Sequence, residues 1–474
     1  MKAFIVYLTI LIPNQLLFSQ TYFNNNYENN SNISIGSTVI EIDSGGYIFP
    51  GYIYGSGYSS FVIIKLNPFG DTLWTKEYRK SLSSFSGGAS NSIIKTKDYK
   101  YVFSGSFVDS TNNRNALLVK IRDNGDTVWT KTYGGTSFDN ANIVCQTPDS
   151  GYVLMGVTQS FSNGPASDFY LVKTDKIGNL QWQRAYGTTS SEECISGQIT
   201  LDGGFILSGS QSTGSSSSNF YIVKTDFLGN LQWQHTYSNT NGVCFIKQLH
   251  DSSYILTGAQ SVSGMGYQGC LLKINKAGSF IWQKNYGGNG DDWFYSIPLV
   301  LSDGSIVVAG QQTVGGNPIG MLVKTDDAGN QQWLRTYYKD ISSDNYFYDV
   351  RHTNDNGFIM SGDAVVLSAD PWLVKVDSNG CEYAGCNVGI EELRVDGGEI
   401  EIYPNPATNE LILTTTNQSL KTIRIYNILG EEVLKLERIA NSQKAIDIST
   451  WNAGVYFVEV ETEKGVIRKK LVKE

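Results

Sequence analysis

Short apolar runs, some continuous and some alternating with polar residues at a period of two, recur along most of this chain. Breaks rich in Gly, Asn and Asp separate them. Runs of that length and pattern predict β-strands, and the breaks predict tight turns. The pattern also repeats itself. The segment FVIIKLNPFGDTLWTKEY (61–78) returns as LLVKIRDNGDTVWTKTYGG (117–135), FYLVKTDKIGNLQWQRAYG (169–187) and FYIVKTDFLGNLQWQHTY (220–237). It recurs again as LLKINKAGSFIWQKNYGG (271–288) and MLVKTDDAGNQQWLRTY (321–337), and a seventh copy from Trp372 lacks the Trp-bearing strand. The turn glycines Gly70, Gly125, Gly178, Gly229, Gly278, Gly329 and Gly380 are spaced by 55, 53, 51, 49, 51 and 51 residues. Between copies lies a second signature, as in DSGYVLMG (149–156), DGGFILSG (202–209) and DNGFIMSG (355–362).

Each unit reads as four strands. In the third they are predicted at 141–147, 152–158, 169–175 and 180–186, joined by two-residue hairpins whose Asp-Gly and Gly-Asn pairs supply positive φ. Units of about 50 residues this small bury their faces only against one another. The predicted fold is therefore all-β: a seven-bladed β-propeller over residues 21–386.

The seventh unit lacks its fourth strand, whereas an orphan strand precedes the first unit. Phe23 and Tyr27 have the four-residue spacing of Trp182 and Tyr186, and Phe23 lies 20 residues before Asp43, as Trp182 does before Asp202. Residues 21–28 are therefore expected to complete the last blade. The six full fourth strands alternate Trp, a base and Tyr, from Trp74-Lys76-Tyr78 to Trp333-Arg335-Tyr337, which puts all three on one face. A feature present in nearly every blade reads as packing between blades, with the basic stem lying across the rings. The W-x-K-x-Y-G-G and D-G-G-Y-x-x-x-G signatures resemble the SBBP-type β-propeller repeats of secreted bacterial proteins. That resemblance carries a fold and little about activity.

After Cys386 the repeat stops. Residues 387–399 read as a linker, followed by strand-like segments at 400–403, 410–416, 421–427, 432–438, 445–448, 455–461 and 465–472. Seven short strands in that length predict a small immunoglobulin-like β-sandwich over 400–474. The segment resembles the type A C-terminal sorting domain of the type IX secretion system. The matching residues are Pro404, Asn405 and Pro406 after Tyr403, then Gly430 in INILG, Gly454 and Tyr456 in GVYFV, and the basic end with Lys469 and Lys470. Trp451 stands where the family usually has Leu, and it is expected to fill the core all the same. The resemblance implies Sec export, passage through the type IX translocon of a Gram-negative bacterium, and removal of the domain by a surface sortase. The protein would then be attached to surface lipopolysaccharide or released.

The N-terminus agrees with that route. Lys2 precedes an apolar run from Ala3 to Phe18, closed by Ser19-Gln20, which predicts a signal peptide over 1–20. No later run is long and apolar enough for a transmembrane span, so the mature form is expected to be soluble.

Composition narrows the chemistry. The chain has 474 residues, of which 17% are charged, with 49 Gly, 28 Tyr and only 3 His. A formal net charge of −9 removes the attraction that nucleic acid or an anionic membrane needs. Three histidines and cysteine spacings without a C-x-x-C pattern predict no metal or other cofactor. Cys381 and Cys386 are placed to form a disulfide that pins the end of the ring, whereas Cys145, Cys194 and Cys244 read as buried small hydrophobes. There is no H-E-x-x-H, G-x-S-x-G or P-loop.

Four carboxylates, Asp139, Glu192, Asp292 and Asp344, follow the Trp strand and open the predicted innermost strand of four blades. They either converge at the channel mouth, as in propeller glycosidases, or cap turns. Two segments break the symmetry more strongly. GDDWFYS (290–296) and SDNYFYD (343–349) each combine acids with three aromatics, and Asp292, Trp293, Asp344 and Tyr346 become candidate ligand contacts for a sugar. The regular repeat and the missing catalytic motifs favour a non-catalytic surface or secreted binding module for a glycan or protein. A glycan-active hydrolase or lyase and a structural surface component are the alternatives.

Overall fold

The computed structural model describes residues 20–383 and 400–473, except 28–32, 35–37, 56–57, 79–83, 88–91, 110–111, 165, 213, 215–217, 239, 340–342, 366–368, 416–420, 428–430, 438–442 and 463–464. The expected signal peptide (save Gln20), the expected linker, Cys386 and Gly430 lie outside the described residues. The chain divides into two compact units, Met1–Ala384 and Gly385–Glu474.

Every regular element among the described residues is a strand. Among its described residues the first unit holds seven antiparallel sheets, each with four strands or with four and one short extra piece. The third runs Asp139–Gln146, Tyr152–Thr158, Asp168–Thr174 and Leu180–Tyr186, within two residues of the predicted limits. The hairpin turns differ from expectation. Asp175 N–H donates to Asn179 O (2.9 Å) and Gly178 N–H to Asp175 O (3.1 Å), which makes a three-residue loop with Gly178 at φ +79°. Asp175 Oδ1 also accepts from the Ile177 and Asn179 amides. A turn followed by a left-handed residue accommodates the strand twist as well as a two-residue loop does, and the Asp side chain holds it shut.

The sheets are joined by a recurring contact. At the end of each fourth strand a Tyr hydroxyl donates to the carbonyl of the turn glycine in the next sheet. The pairs are Tyr78 to Gly125 (2.6 Å), Tyr133 to Gly178 (2.7 Å), Tyr186 to Gly229 (2.5 Å), Tyr237 to Gly278 (2.6 Å), Tyr286 to Gly329 (2.6 Å) and Tyr337 to Gly380 (2.7 Å). The Trp four residues earlier lies on the same glycine, and a Cβ on Gly229 would sit 2.9 Å from the Trp182 ring. Apolar clusters bridge consecutive sheets in the same way. In one of them Ile143, Val153 and Phe169 meet Cys194, Phe205 and Tyr221. The predicted packing role of the Trp-base-Tyr face is what these contacts show.

The N-terminal strand Phe23–Asn26 pairs antiparallel with Ala369–Val376, as the orphan strand was expected to do. Tyr27 then donates to Gly70 O at 2.8 Å, and Phe23 takes the place of the Trp on that glycine. One cluster joins the two ends of the chain order, with Tyr27, Tyr47 and Phe49 against Ile359 and Leu373. The sheets thus close on themselves in a propeller arrangement.

A second contact recurs in several of the sheets. A Lys on the third strand reaches the Asp of the preceding turn: Lys120 to Asp98, Lys173 to Asp149, Lys224 to Asp202 and Lys375 to Asp355, each at 2.9 Å. In the first sheet the pairing crosses over, with Lys65 on Asp123 and Asp43 taken by Lys95. Burial works against the charged form of Asp149. Hydrogen bonds from Thr147, Lys173 and Gly151 outweigh it and hold its carboxyl at about 2. The Lys375–Asp355 pair is the most enclosed, with side chains 0% and 8% exposed, and burial pulls the Lys375 ammonium down.

The second unit packs a three-stranded sheet, Ile400–Tyr403, Glu410–Thr415 and Gln443–Asp447, against a four-stranded one. The latter runs in the order Glu432–Glu437, Thr422–Asn427, Gly454–Thr462, Gly465–Lys473. Leu411, Leu413 and Ile446 from one sheet meet Ile423, Ile425, Val458 and Leu471 from the other. The order is that of an immunoglobulin-like sandwich. Trp451 packs against this core as expected.

Two predictions follow from these contacts. Deleting residues 21–30 removes the strand and the latch that close the ring, so the melting temperature measured by calorimetry should drop sharply. Tyr27→Phe alone should cost about 1–3 kcal/mol by leaving a buried carbonyl unpaired, and unchanged melts for both would refute the closure. The ion pairs set the acid response. A carboxyl held below its unfolded value stabilises the fold above about 3.8 and loses that contribution as pH falls toward about 2. Melting temperatures should therefore change little from pH 7 to 5 and fall steeply below 4. Asp355→Ala should cost about 3–5 kcal/mol, since it strands a buried ammonium, and Asp149→Ala much less.

Candidate functional site

The first strands of neighbouring sheets pack against one another, which makes them the inner strands of the ring. Ile195 and Phe245, from successive first strands, and Ile297, from the break in the next one, form an apolar cluster there.

Three of the four candidate carboxylates open such strands as buried turn caps. Asp139 accepts from Gly135 N–H (2.8 Å), Thr158 Oγ1 (2.5 Å) and Ser160 Oγ (2.7 Å). Glu192 accepts from the Thr188 amide and hydroxyl and from Gln211 Nε2 (2.9 Å). Asp292 accepts from the Gly288 (2.6 Å) and Thr313 (2.8 Å) amides, and burial pushes its carboxyl up against the opposing pull of those bonds. Each of these three acids thus bonds back to the turn and hairpin beside it, as the capping alternative expects.

Asp344 does not belong to the series. The residue in register with Asp139 and Glu192, two places past the second-strand glycine, is Asn345, which pairs with Ala364. Asn345 is buried and its Oδ1 accepts from Lys339 N–H at 3.0 Å. Asp344 lies one place earlier on the other face, where its Oδ2 accepts from Tyr346 Oη at 3.0 Å. Counting from the Trp strand misses this because the loop before the seventh sheet is longer.

The aromatic segments split by strand alternation. Phe294 and Phe347 enter the core between sheets. Trp293, Tyr295, Tyr346 and Tyr348 take the opposite face and are half-buried. Together with Tyr267 they form a continuous series of rings across the fifth, sixth and seventh sheets. Centroid separations are 4.8 Å from Tyr267 to Trp293, 6.2 Å to Tyr295, 6.0 Å to Tyr348 and 6.4 Å to Tyr346. Trp293 and Tyr295 are nearly parallel, as are Tyr346 and Tyr348. Burial, reinforced by Asp344, raises the Tyr346 phenol to about 12, so it remains a hydrogen-bond donor. Asp291 Oδ1 accepts from Tyr267 N–H at 2.9 Å and fixes the hairpin that carries Tyr267. Tyr267 was not among the sequence candidates, because it comes from a hairpin outside both aromatic segments.

Of the other reactive groups, Cys194, Cys244 and Cys270 are buried, whereas Cys145, expected to be buried, is half-buried and His235 is exposed. Cys145, Cys194, Cys244 and Cys270 are free, and burial raises their thiols, to about 11 for Cys145 and about 12 for Cys270. Such thiols pack as small hydrophobes. Cys381 is buried and disulfide-bonded, and its expected partner Cys386 lies outside the described residues. His235 takes the base position of its fourth strand, between Trp233 and Tyr237. No group of His, Cys, Asp and Glu suited to a metal ion occurs among the described residues. No helix among them is long and apolar enough to cross a membrane.

In the second unit the Pro404-Asn405-Pro406 segment holds the last strand, since Asn405 Oδ1 accepts from Val472 N–H and Ala407 N–H donates to Val472 O, both at 2.8 Å. Tyr456, two residues after Gly454, donates to Asn452 O at 2.9 Å, the corner contact of sandwiches of this type. Lys469 and Lys470 pair with Val458 and Phe457 on the terminal strand of that sheet.

Asp139→Ala should lower stability by about 1–3 kcal/mol, because three donors lose their acceptor. Asp344→Ala should leave the melt within about 0.5 kcal/mol of the parent. Equal melts for the two variants would remove the capping assignment.

No curated protein matches the sequence. Among solved structures, similarity extends to the polysaccharide lyase Uly1, at 10% identity and a TM-score of 0.43, over 75% of this chain and 92% of that one. It extends also to an α-L-arabinanase of Penicillium chrysogenum complexed with arabinobiose, at 13% identity and a TM-score of 0.41, over 65% and 99%. A protein of unknown function from Bacteroides caccae has 14% identity and a TM-score of 0.38, over 62% and 94%. At such scores none of these likenesses bears on function. Residues 401–474 match the family described as the secretion system C-terminal sorting domain. The C-terminal sandwich is thus a secretion sorting domain, and the type IX system handles this protein for export.

Proposed function

We propose that this is a cell-surface or secreted protein whose propeller, of seven blades, is a non-catalytic binding module for a glycan. The observation that carries the reading is the series of rings Tyr267, Trp293, Tyr295, Tyr348 and Tyr346 spanning the fifth, sixth and seventh sheets, flanked by Asp344. Aromatic faces cover the apolar faces of sugar rings, and a carboxylate and phenols beside them take sugar hydroxyls. The hydrogen bonds of Asp139, Glu192 and Asp292 within their own sheets support a scaffold role for these acids and speak against a hydrolase or lyase built on them. In the proposed route residues 1–20 are removed on Sec export from the cytoplasm of a Gram-negative cell. The sorting domain is then cleaved by the surface sortase, which leaves the propeller on lipopolysaccharide or free.

The test is a glycan array probed with the mature full chain. Selective binding is expected, weakened at least about tenfold by Trp293→Ala and by Tyr346→Ala, with melting curves confirming that both variants fold. A silent array, or binding indifferent to both substitutions, would remove the glycan reading in favour of a protein partner.

A further inference from the structure

A second departure from the repeat lies between the second and third sheets. A cleft of about 600 Å³ opens there, lined by Asn112, Asn113, Arg114, Thr136, Ser137 and Phe138. The Arg114 guanidinium carbon stands 5.2 Å from the Phe138 ring centroid, over its face. The Arg114 guanidinium makes no hydrogen bond or ion pair with any described residue, although its strand, Arg114–Ile121, is part of the sheet. The cleft walls are tied together. Asn113 Nδ2 donates to Gly135 O (2.9 Å), Ser137 N–H to Ser160 Oγ (3.0 Å), and Asn112, at φ 64°, donates its amide to Asp109 O (3.0 Å).

The repeat allows a direct comparison. Arg114 pairs with Val108, three places past the second-strand glycine Gly105. The same register position holds Ser218 opposite Ser212 in the fourth sheet, Tyr267 opposite Ser261 in the fifth and Pro318 opposite Thr313 in the sixth. The scaffold therefore requires no base there. Arg114 is also a cation with free donors in a chain of net charge −9, and Asp139, the acid next to Phe138, spends its oxygens on Gly135, Thr158 and Ser160. A planar guanidinium resting on an aromatic face presents its outer N–H fork to a carboxylate in two parallel hydrogen bonds. The surrounding amides and hydroxyls match the hydroxyls of a sugar ring.

We infer that this cleft binds a carboxylated sugar residue, with Arg114 held on Phe138 as the carboxylate-reading group and Asn112, Asn113, Thr136 and Ser137 facing the ring hydroxyls. The nature of the ligand rests on the glycan reading above, but the site is separate from the aromatic series. The propeller thereby recognises an acidic glycan.

The experiment is calorimetric titration of the mature full chain with oligosaccharides of galacturonate, glucuronate and mannuronate and with sialyl-lactose. Methyl esters of the same compounds serve as uncharged controls. At least one free acid is expected to bind, with its ester at least about tenfold weaker, and Arg114→Gln should abolish the difference while Arg114→Lys keeps part of it. Unchanged melts show that these variants fold. If no acid binds, if acid and ester bind equally, or if Arg114→Gln binds as the parent does, the inference falls. Inorganic sulfate competing as well as the sugar acids would also overturn it, as a bare anion site. Trp293→Ala separates the two readings. Loss of binding in that variant but not in Arg114→Gln removes this cleft and leaves the aromatic series, and the reverse removes the series.

Discussion

The hydrogen bond from a fourth-strand tyrosine to the turn glycine of the next sheet is the contact on which the remaining architecture depends. A small antiparallel sheet cannot bury both faces alone, so its stability is set by how well it docks on its neighbours. In this chain the docking is specified at one point per interface. The glycine stands at positive φ, where any other residue is strained, and its missing Cβ lets the Trp ring of the preceding sheet lie on the turn. The carbonyl is then buried under that ring and needs a donor, which the Tyr hydroxyl supplies at 2.5–2.8 Å. Trp, Tyr and Gly each make sense only with the other two. The bases between Trp and Tyr lie along the same surface, with Arg184, Lys284 and Arg335 over Trp182, Trp282 and Trp333.

Because the outer strands fix the interfaces, the inner strands are released from the repeat. The first strands carry Ile195 and Phe245 in two sheets, whereas the sixth is broken into Trp293–Phe294 and Leu299–Val300. Pro298 in the gap cannot donate to a ladder, which is where the strand is interrupted. That break and the alternation of Trp293, Phe294 and Tyr295 place two rings on the inner face while Phe294 stays in the core. The Tyr346-Phe347-Tyr348 run does the same in the next sheet. Each central Phe anchors the segment, so the flanking rings are positioned by core packing and not by a loop.

Much of this was legible in the sequence. The spacing of Phe23 and Tyr27 matched that of the Trp and Tyr of a full unit, and it was enough to place the N-terminal strand on the last sheet. The seven strands of the sandwich followed from alternation and turn residues, and the filling role of Trp451 from the resemblance to the sorting-domain family. Other features escaped for identifiable reasons. Two-residue turns were expected from Asp-Gly and Gly-Asn pairs, but the flanking Asp or Asn side chain stabilises a three-residue loop, and its acceptor bonds cannot be seen in a dipeptide. Asp344 was aligned with the turn caps by counting from the Trp strand, whereas strand register gives that place to Asn345. Tyr267 and Arg114 sit on third strands that look like scaffold, and only pairing with the second strand shows that they share one station in two different sheets.

That shared station is the most informative property of the ring. Residues that recur in every sheet report what closure demands, and they leave little room for a ligand. Residues that differ at a register position where the scaffold tolerates Ser, Pro, Tyr or Arg are under no structural instruction. Their chemistry is then free to answer to something outside the chain. Tyr267 opens a series of five rings, and Arg114 opens a polar cleft, at equivalent places of the fifth and second sheets. Both lie where second-to-third strand hairpins meet the loops entering the next sheet, so they face the same end of the propeller. A ligand long enough to meet both would be read by apolar faces at one station and by charge at the other. Specificity would then come from the distance between two unlike contacts, with neither contact needing to be strong alone.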